Sequence, residues 1–281
     1  MSRRRVVAFL AAGALALTAC GGQGGGASGQ LQAPQQQAQG VNDINQTDVS
    51  RLRDGGEFKW ALDQLPDNWN YNQVDGTNIS GFFINGALVP KVFVSKPDNT
   101  VELNKDYVES AEVTSTDPQV ITYKINPKAK WSNGRAFDWQ DFKAQADALT
   151  GKNPAYQVSS TTGYEDIGSV ERGANDQEAK VTFARKFGEW KSLFSPLYPK
   201  ELNLDPNEFN SGWVDGPKIT AGPFKIATID KTALAVTVDR DPNWWGQKPR
   251  LDKITFRVIA RNALADSMAN GTIDYYEIGS S

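Results

Sequence analysis

The sequence predicts an α/β protein with a mixed sheet that is rich in antiparallel hairpins. Three patterns indicate this fold: alternating segments occur in pairs joined by short turns, a capped amphipathic helix follows one pair, and a strand–helix–strand unit occurs late in the chain. The last unit fits a parallel crossover. With 281 residues, of which 39% are hydrophobic, the chain is long enough for a globular protein of one or two domains.

The first predicted elements are a strand and a hairpin. Apolar residues alternate with others over residues 58–62, which predicts a short strand that ends at a loop over residues 63–67. Residues 107–114 and 120–125 have the same alternation on either side of the turn 115–118, which contains Asp and Pro. These two segments are therefore predicted to pair as a hairpin.

A helix is predicted after this hairpin. Asp138 is a suitable N-cap and Asp141 stands three residues later, as in a capping box, and we expect the apolar stripe of the helix to pack on the hairpin. Two more hairpins are predicted, one from residues 167–171 and 179–185 and one from residues 224–229 and 234–240, with a short helix over residues 189–194 between them. The closing strand–helix–strand unit consists of a strand over 254–258, a helix over 262–270 and a strand over 273–278.

Charge and residue usage exclude several classes of function. Lys and Arg number 30 and Asp and Glu number 33, and loss of residues 1–19, whose three Arg are their only charged side chains, changes the formal charge from −3 to −6. Such an acidic protein offers no surface for nucleic acid. With no His and one Cys, the chain cannot form Ser-His-Asp or Cys-His catalytic sites, His-ligated zinc sites or iron–sulfur centres. No metal or organic cofactor is expected, which leaves carboxylate or lysine chemistry for an enzyme and aromatic side chains for a binding protein.

The amino terminus resembles a bacterial lipoprotein signal. Residues 3–5 are Arg, residues 6–17 form an apolar run, and Leu-Thr-Ala precedes Cys20. The resemblance implies cleavage after residue 19, lipidation of Cys20 and attachment to the outer face of the cytoplasmic membrane. An uncleaved membrane span is the alternative, but about 12 apolar residues are fewer than the ~20 that cross a bilayer. Residues 20–54 are rich in Gly, Gln, Ala and Ser and are predicted to form a disordered tether.

Several short segments occur in a fixed order after this tether. They are 55–62 (GGEFKWAL), 82–89 (FFINGALV), 123–134 (YKINPKAKWSNG), 222–226 (GPFKI), 239–245 (DRDPNWW), 251–259 (LDKITFRVI) and 270–274 (NGTID). Together they resemble the amino-terminal half of a family 5 extracellular solute-binding protein, the oligopeptide- and dipeptide-binding component of bacterial ABC importers. The sequence departs from the family pattern at three places. Asn133 stands where the family usually has Asp, Phe-Asp-Trp at 137–139 replaces a run of small and acidic residues, and Ala221 replaces a Gly.

The resemblance implies a fold and a domain organisation. The fold is that of the first lobe of a type II periplasmic-binding protein with a small inserted α+β domain. Residues 55–82 and 167–261 would form this lobe, residues 83–166 the inserted domain, and residues 262–281 the start of a second lobe that is otherwise missing. The acidic residue that pairs with the amino group of a peptide in the family lies in that second lobe.

The loop after the first strand lines the ligand cleft in the family. The resemblance therefore implies that this loop contacts an extended peptide through its backbone and one aromatic ring. The residues predicted to do so are Asp63, Gln64, Leu65, Asn68 and Trp69. For Trp69 the alternative is a core or lid aromatic.

A second predicted contact region is the turn that contains Gly222, Pro223 and Phe224. Gly allows the backbone to approach a ligand closely and Pro restricts its motion, so these residues are predicted to form the floor of the cleft. The alternative is a turn that serves only to begin a strand.

Three other polar or aromatic motifs are interpreted as structural. Residues 131–134 precede the capped helix and contain the Asn-Gly pair typical of turns. The two Trp at 244–245 lie in a motif that closes a turn over a sheet edge in the family. The acidic pairs at 165–166 and 239–241 lie on predicted loops, where such acids form solvated turns, rather than across a cleft as a glycosidase requires.

The predicted function is that of a substrate-binding lipoprotein of an ABC importer. It would capture a peptide or similar small solute outside the cytoplasmic membrane and deliver it to the permease, acting as a monomer without performing chemistry. Two alternatives remain: a lipoprotein that senses the ligand and signals, and a cell-surface hydrolase that uses carboxylates.

Overall fold

The computed structural model describes residues 47–277. Over this part of the chain the strands are β1 Glu57–Leu62, β2 Phe93–Ser95, β3 Val101–Leu103, β4 Val108–Thr116, β5 Gln119–Ile125, β6 Ile167–Arg172, β7 Glu178–Phe183, β8 Phe224–Asp230, β9 Ala235–Arg240 and β10 Lys253–Val258. The α-helices are α1 Ile79–Leu88, α2 Trp139–Leu149, α3 Lys200–Asn203, α4 Pro206–Ser211 and α5 Leu264–Ala269.

The strands form two four-stranded sheets and one small hairpin. The first sheet has the order β1-β10-β9-β8, with β1 parallel to β10 and the other pairs antiparallel. The second sheet, of order β4-β5-β7-β6, is antiparallel throughout. Strands β2 and β3 pair only with each other. The predicted mixed sheet and its three antiparallel hairpins are confirmed.

Helix α2 forms as its capping residues predict. The Asp138 side chain accepts a hydrogen bond from the backbone N–H of Gln140, and the Asp141 side chain accepts one from the N–H of Asp138, which completes the capping box. The helix packs mainly on β6 and α3, and then on β7, so the prediction that it packs on the β4–β5 hairpin is wrong in its main partner. Because β7 pairs with β5, Phe142 still reaches Tyr123 on β5, with ring centroids 5.2 Å apart.

Helix α1 was not predicted. Its sequence, ISGFFINGAL, contains two Gly and several aromatic or β-branched residues, which have low helix propensity. Asn78 caps its amino end by accepting a hydrogen bond from the N–H of Gly81. Ile84, Ala87 and Leu88 are buried in the core beneath the first sheet, so tertiary packing stabilises this helix against its local preference.

Two hydrophobic cores show where the chain passes between its two parts. One core packs against the first sheet and includes the buried apolar residues of 84–89 and most of those from 198 to 256. The other core packs against the second sheet and includes most of the buried apolar residues from 92 to 197. The predicted boundary at 82/83 falls inside α1, and the boundary at 166/167 separates β6 and β7 from the sheet to which they belong. The buried residues change from one core to the other near Pro90 and Tyr198, with Ala221 again in the second core, and the two boundaries remain predictions.

The segment after β10 returns to the first sheet. The backbone N–H of Ala61 donates to the carbonyl of Tyr275, and Tyr275 forms a parallel bridge with Trp60 on the free edge of β1. Ile273 is buried. Residues 273–275 thus pack on the first sheet, and the assignment of 262–281 to a second lobe remains a prediction.

Cys20 and most of the predicted tether lie outside the described residues. Within residues 47–277, no helix has the length and apolar character needed to cross a membrane.

Candidate ligand-binding site

The carboxyl ends of the two parallel strands meet at a pocket, which we call the β1-end pocket. Leu62 and Val258 are partners in register, so the residues that follow them emerge at the same edge of the sheet. The pocket has a volume of about 230 Å³, and its walls include Asp63, Phe83 on α1, and Arg261. Asp63 Oδ1 lies 4.0 Å from Arg261 Nε. With Glu277 also in the lining, this edge presents two carboxylates and one guanidinium group beside an apolar wall.

Helix α1 supplies that wall and exposes apolar side chains there. Ile79 is 52% exposed, and both Ile79 and Phe83 line the β1-end pocket. The Phe83 ring lies 4.9 Å from the Trp60 ring of β1, which fixes its position. Tyr275, on the other side of β1, packs edge-on against Trp60 at 5.0 Å.

A larger cavity lies toward the carboxyl end of the same helix; we call it the α1 cavity. Its volume is about 1030 Å³. The walls include Phe82 of α1, Phe93 of β2, Trp190 of the 3₁₀ helix Trp190–Ser192, and Lys91. The 3₁₀ helix replaces the short helix predicted over 189–194.

The predicted loop residues divide into two groups. Asp63 and Gln64 are exposed and Leu65 is partly exposed, and Asp63 lines the β1-end pocket. Asn68 and Trp69 are buried, with Trp69 only 2% exposed. The structure therefore favours the alternative stated for Trp69, a core aromatic.

Buried polar contacts explain why Asn68 and Trp69 point inward. Asn68 Nδ2 donates to the carbonyl of Asn210 at 2.8 Å, and Asn70 Nδ2 donates to the carbonyl of Phe209 at 2.9 Å. The backbone N–H of Trp69 donates to the carbonyl of Trp213. These bonds attach the loop to α4 and the residues after it, so Asn68 and Trp69 position the loop rather than face the pocket.

Gly222, Pro223 and Phe224 lie at the opposite end of the first sheet from Asp63. Phe224 pairs with Arg240 at the end where β1 begins, whereas Asp63 follows the end of β1. A Cβ at Gly222 would collide with the carbonyl oxygen of Ala87, so Gly is required for the close approach to α1. The two predicted contact regions do not converge on one pocket, and this turn closes the sheet against α1.

The motif at 131–134 is part of a buried charged network, as its structural interpretation predicts. Asp141 is fully buried and accepts hydrogen bonds from Trp131 Nε1 at 3.1 Å, from Arg135 and from the N–H of Lys200. Arg135 also donates two bonds of 2.7 Å to Glu201. Burial by itself would lower the pKa of Arg135, but the bonds to Asp141 and Glu201 outweigh it and raise that pKa.

The remaining motifs also have structural partners. Trp245 Nε1 donates to the carbonyl of Asp106 at 2.7 Å, and both Trp244 and Trp245 pack against Tyr107. The acids at 165–166 bind Arg185, and Asp239 lies 4.0 Å from Lys253. Asp241 accepts a hydrogen bond from the N–H of Asn243, as an acid in a turn does.

The sequence analysis missed Arg261 and Phe83. Arg261 could have been found from a parallel pairing of the first and last strands, because the carboxyl ends of adjacent parallel strands share an edge. Phe83 had no such signal, since α1 itself was not predicted.

Comparisons with known proteins agree with this architecture. The family model for bacterial extracellular solute-binding proteins, family 5 Middle, matches residues 102–281. The oligopeptide-binding protein OppA of Mycobacterium tuberculosis is 38% identical over 270 residues, which cover 95% of this chain and 46% of OppA. The chain thus spans about half the length of the relatives it matches.

Solved structures show the same fold. The periplasmic EDTA-binding protein EppA superposes with a TM-score of 0.74 at 30% identity, over 79% of this chain and 43% of EppA. The oligopeptide-binding protein AppA of Bacillus subtilis, solved with a nonapeptide, superposes with a TM-score of 0.70 at 20% identity, over 80% of this chain and 44% of AppA. These similarities confirm the predicted lobe of a periplasmic-binding protein. By sequence and by fold, the chain belongs to family 5 of the bacterial extracellular solute-binding proteins, a family of binding proteins rather than of enzymes.

Proposed function

We propose that the chain forms the ligand-capturing lobe of an ABC importer receptor that binds a peptide or similar small solute and delivers it to a permease. The observation that carries the proposal is the β1-end pocket, where Asp63 and Arg261 lie 4.0 Å apart beside the exposed face of α1. A zwitterionic ligand with apolar side chains complements such a surface. The 38% identity to OppA, named an oligopeptide-binding protein, supports the peptide class.

The mechanism follows from the exposure of this surface. Asp63, Gln64 and Leu65 offer backbone groups and one carboxylate at the edge of the sheet. Main-chain pairing gives affinity for peptides of varied sequence, while the side chains of the ligand rest on α1. When a second lobe covers the ligand, contacts to both lobes exist only in the closed state, so binding shifts the population toward that state. The permease recognises the closed form.

The proposal assigns supporting roles to the other predicted residues. Asn68 and Trp69 hold the loop in place, and Gly222, Pro223 and Phe224 close the first sheet on α1. Lipidation at Cys20 would anchor the protein, as a monomer, to the outer face of the cytoplasmic membrane, with residues 20–54 as the tether.

A second solute class has one specific observation in its favour. The relative EppA, at 30% identity, is named an EDTA-binding protein. Small polycarboxylates, free or as chelates, are therefore the class to test beside peptides.

The first test is native mass spectrometry of the protein released gently from its source membrane, followed by calorimetry with peptides. We expect a diacylated protein that carries a releasable peptide mass and rebinds it. Arg261→Gln should weaken rebinding by about tenfold, because a charged partner of the ligand is lost.

The matched control is Arg257→Gln, an exposed Arg on β10 four residues before Arg261. It should bind as the wild-type protein does. Absence of any peptide, both in the released protein and in titrations at millimolar concentration, would contradict the peptide receptor. Peptide uptake is then compared in cells with and without the gene. Loss of uptake on deletion indicates transport, whereas unchanged uptake indicates sensing.

A further inference from the structure

The α1 cavity contains a cation in unusual surroundings. Lys91 is partly buried, and its Nζ lies 3.9 Å from the centroid of the Phe82 ring. A Cβ built on Gly86 would stand 3.9 Å from the same Nζ, so the ammonium group rests on the surface of α1. The side chain therefore holds its charge against an apolar surface and inside the cavity wall.

Lys91 forms no ion pair within the described part of the chain, although Glu189 lines the same cavity. Among residues 47–277, no Asp or Glu lies within 4.0 Å of Lys91 Nζ, whereas Lys96, on the adjacent hairpin, pairs with Glu102 at 3.2 Å. Burial without a counter-ion lowers the pKa of Lys91 below its ordinary value. The ring of Phe82 offsets part of this cost by a cation–π contact but supplies no hydrogen-bond acceptor.

The rest of the cavity is suited to an apolar group. Phe93 and Trp190 pack edge-to-face with their centroids 5.6 Å apart, and both line the cavity with Phe82. A volume of about 1030 Å³ is large enough for more than one side chain. The cavity thus combines aromatic walls with Lys91, and its lining also includes a second lysine, Lys191, and one carboxylate, that of Glu189.

We propose that the α1 cavity binds the carboxyl terminus of a peptide whose last residue is aromatic, with the carboxylate on Lys91 Nζ and the ring against the edge-to-face pair of Phe93 and Trp190. This inference rests on the proposed peptide-binding function and adds a site at the other end of α1 from the β1-end pocket. An ammonium group donates three hydrogen bonds, and a carboxylate offers it charged acceptors. The peptide carboxylate therefore supplies the missing counter-ion.

The test uses the full-length protein and two peptides, Ala-Ala-Ala-Phe and its carboxyl-terminal amide, titrated by calorimetry. The wild-type protein should bind the acid at least about tenfold more tightly than the amide, since a charge-assisted bond in a partly buried site is lost in the amide. Lys91→Gln should bind the two peptides equally. Lys91→Arg keeps the cation and should restore part of the preference.

Two further variants locate the effect. Lys96→Gln, at an exposed and already paired lysine outside the cavity, should keep the full preference for the acid. Arg261→Gln should weaken both peptides by the same factor, because it acts at the other end of α1. Unfolding curves for each variant confirm that it folds.

The outcomes separate this inference from the proposed function. Equal binding of acid and amide by the wild-type protein, or an acid preference that survives Lys91→Gln, overturns the Lys91 site while peptide binding stands. Failure of the wild-type protein to bind any peptide overturns both.

Discussion

Two partly buried cations of this protein differ in what surrounds them. Arg135 donates hydrogen bonds to Asp141 and to Glu201, so its counter-ions are side chains of the protein itself. Lys91 forms no ion pair within the described part of the chain, although the carboxylate of Glu189 lines the same cavity. The comparison indicates that a cation satisfied internally stabilises the fold, whereas a cation left unpaired in a cavity wall is available to a ligand.

The largest expected effect on stability comes from removing Asp141, the buried carboxylate that Arg135 binds. Asp141→Ala leaves Arg135, Trp131 Nε1 and two backbone N–H groups without their buried acceptor. We expect the free energy of unfolding to fall by about 3–5 kcal/mol, measured by urea denaturation.

The control for this variant lies on the same helix. Asp147→Ala removes an exposed carboxylate that binds only Lys143, and should change the free energy of unfolding by at most about 0.5 kcal/mol. Similar losses in the two variants would show that the network around Asp141 has no special role.

A smaller effect of opposite sign is expected at Lys91. Lys91→Met keeps the apolar stem on Phe82 and removes a desolvated charge, so the free energy of unfolding should rise by about 0.5–1 kcal/mol while peptide affinity falls. Lys96→Met, at the paired and exposed lysine, should leave both quantities nearly unchanged. A loss of stability in Lys91→Met would mean that Lys91 serves the fold as Arg135 does.

The smallest expected effect is a change in acid sensitivity at Glu201. Burial opposes ionisation of this carboxyl, but the hydrogen bond from Arg135 and nearby positive charge hold its pKa below the ordinary 4.5. Because the pKa is lower in the folded state, its contribution is present above about pH 4.5 and disappears as the pH falls through the lower, folded value. Glu201→Gln should therefore lose less stability than the wild-type protein on acidification through this range. Parallel stability curves, obtained by thermal unfolding at a series of pH values, would contradict this assignment.

Local patterns predicted the elements that depend on neighbouring residues. The alternation in β5 places Ile121, Tyr123 and Ile125 on the buried face, and Asp138 with Asp141 caps α2 as the spacing indicates. Helix α1 escaped prediction because Gly81 and its aromatic neighbours form a helix only when packed beneath the first sheet.

The candidate site was predicted less well than the fold. The loop at Asp63 was correctly placed after a strand, but its inward and outward faces could not be told apart without the contacts of Asn68 to the residues around α4. Gly222 was assigned to the same cleft because Gly allows the backbone to approach a ligand closely and the Pro after it restricts motion. Only the order of strands in the sheet shows that β8 begins at the far end from Asp63.

The parallel position of β1 has a consequence for synthesis and export. Both of its neighbours lie far along the chain: Gly56 bonds to Asp252, 196 residues later, and Lys59 to Asp274, 215 residues later. While the polypeptide emerges from a ribosome or a translocon in order, β1 appears first yet cannot enter its sheet until the last strands have followed. For that interval Phe58 and Trp60 lack their contacts with Phe256 and Tyr275, as the high contact order of such a topology requires, and this exposed aromatic surface is a site where a chaperone could act on the nascent chain.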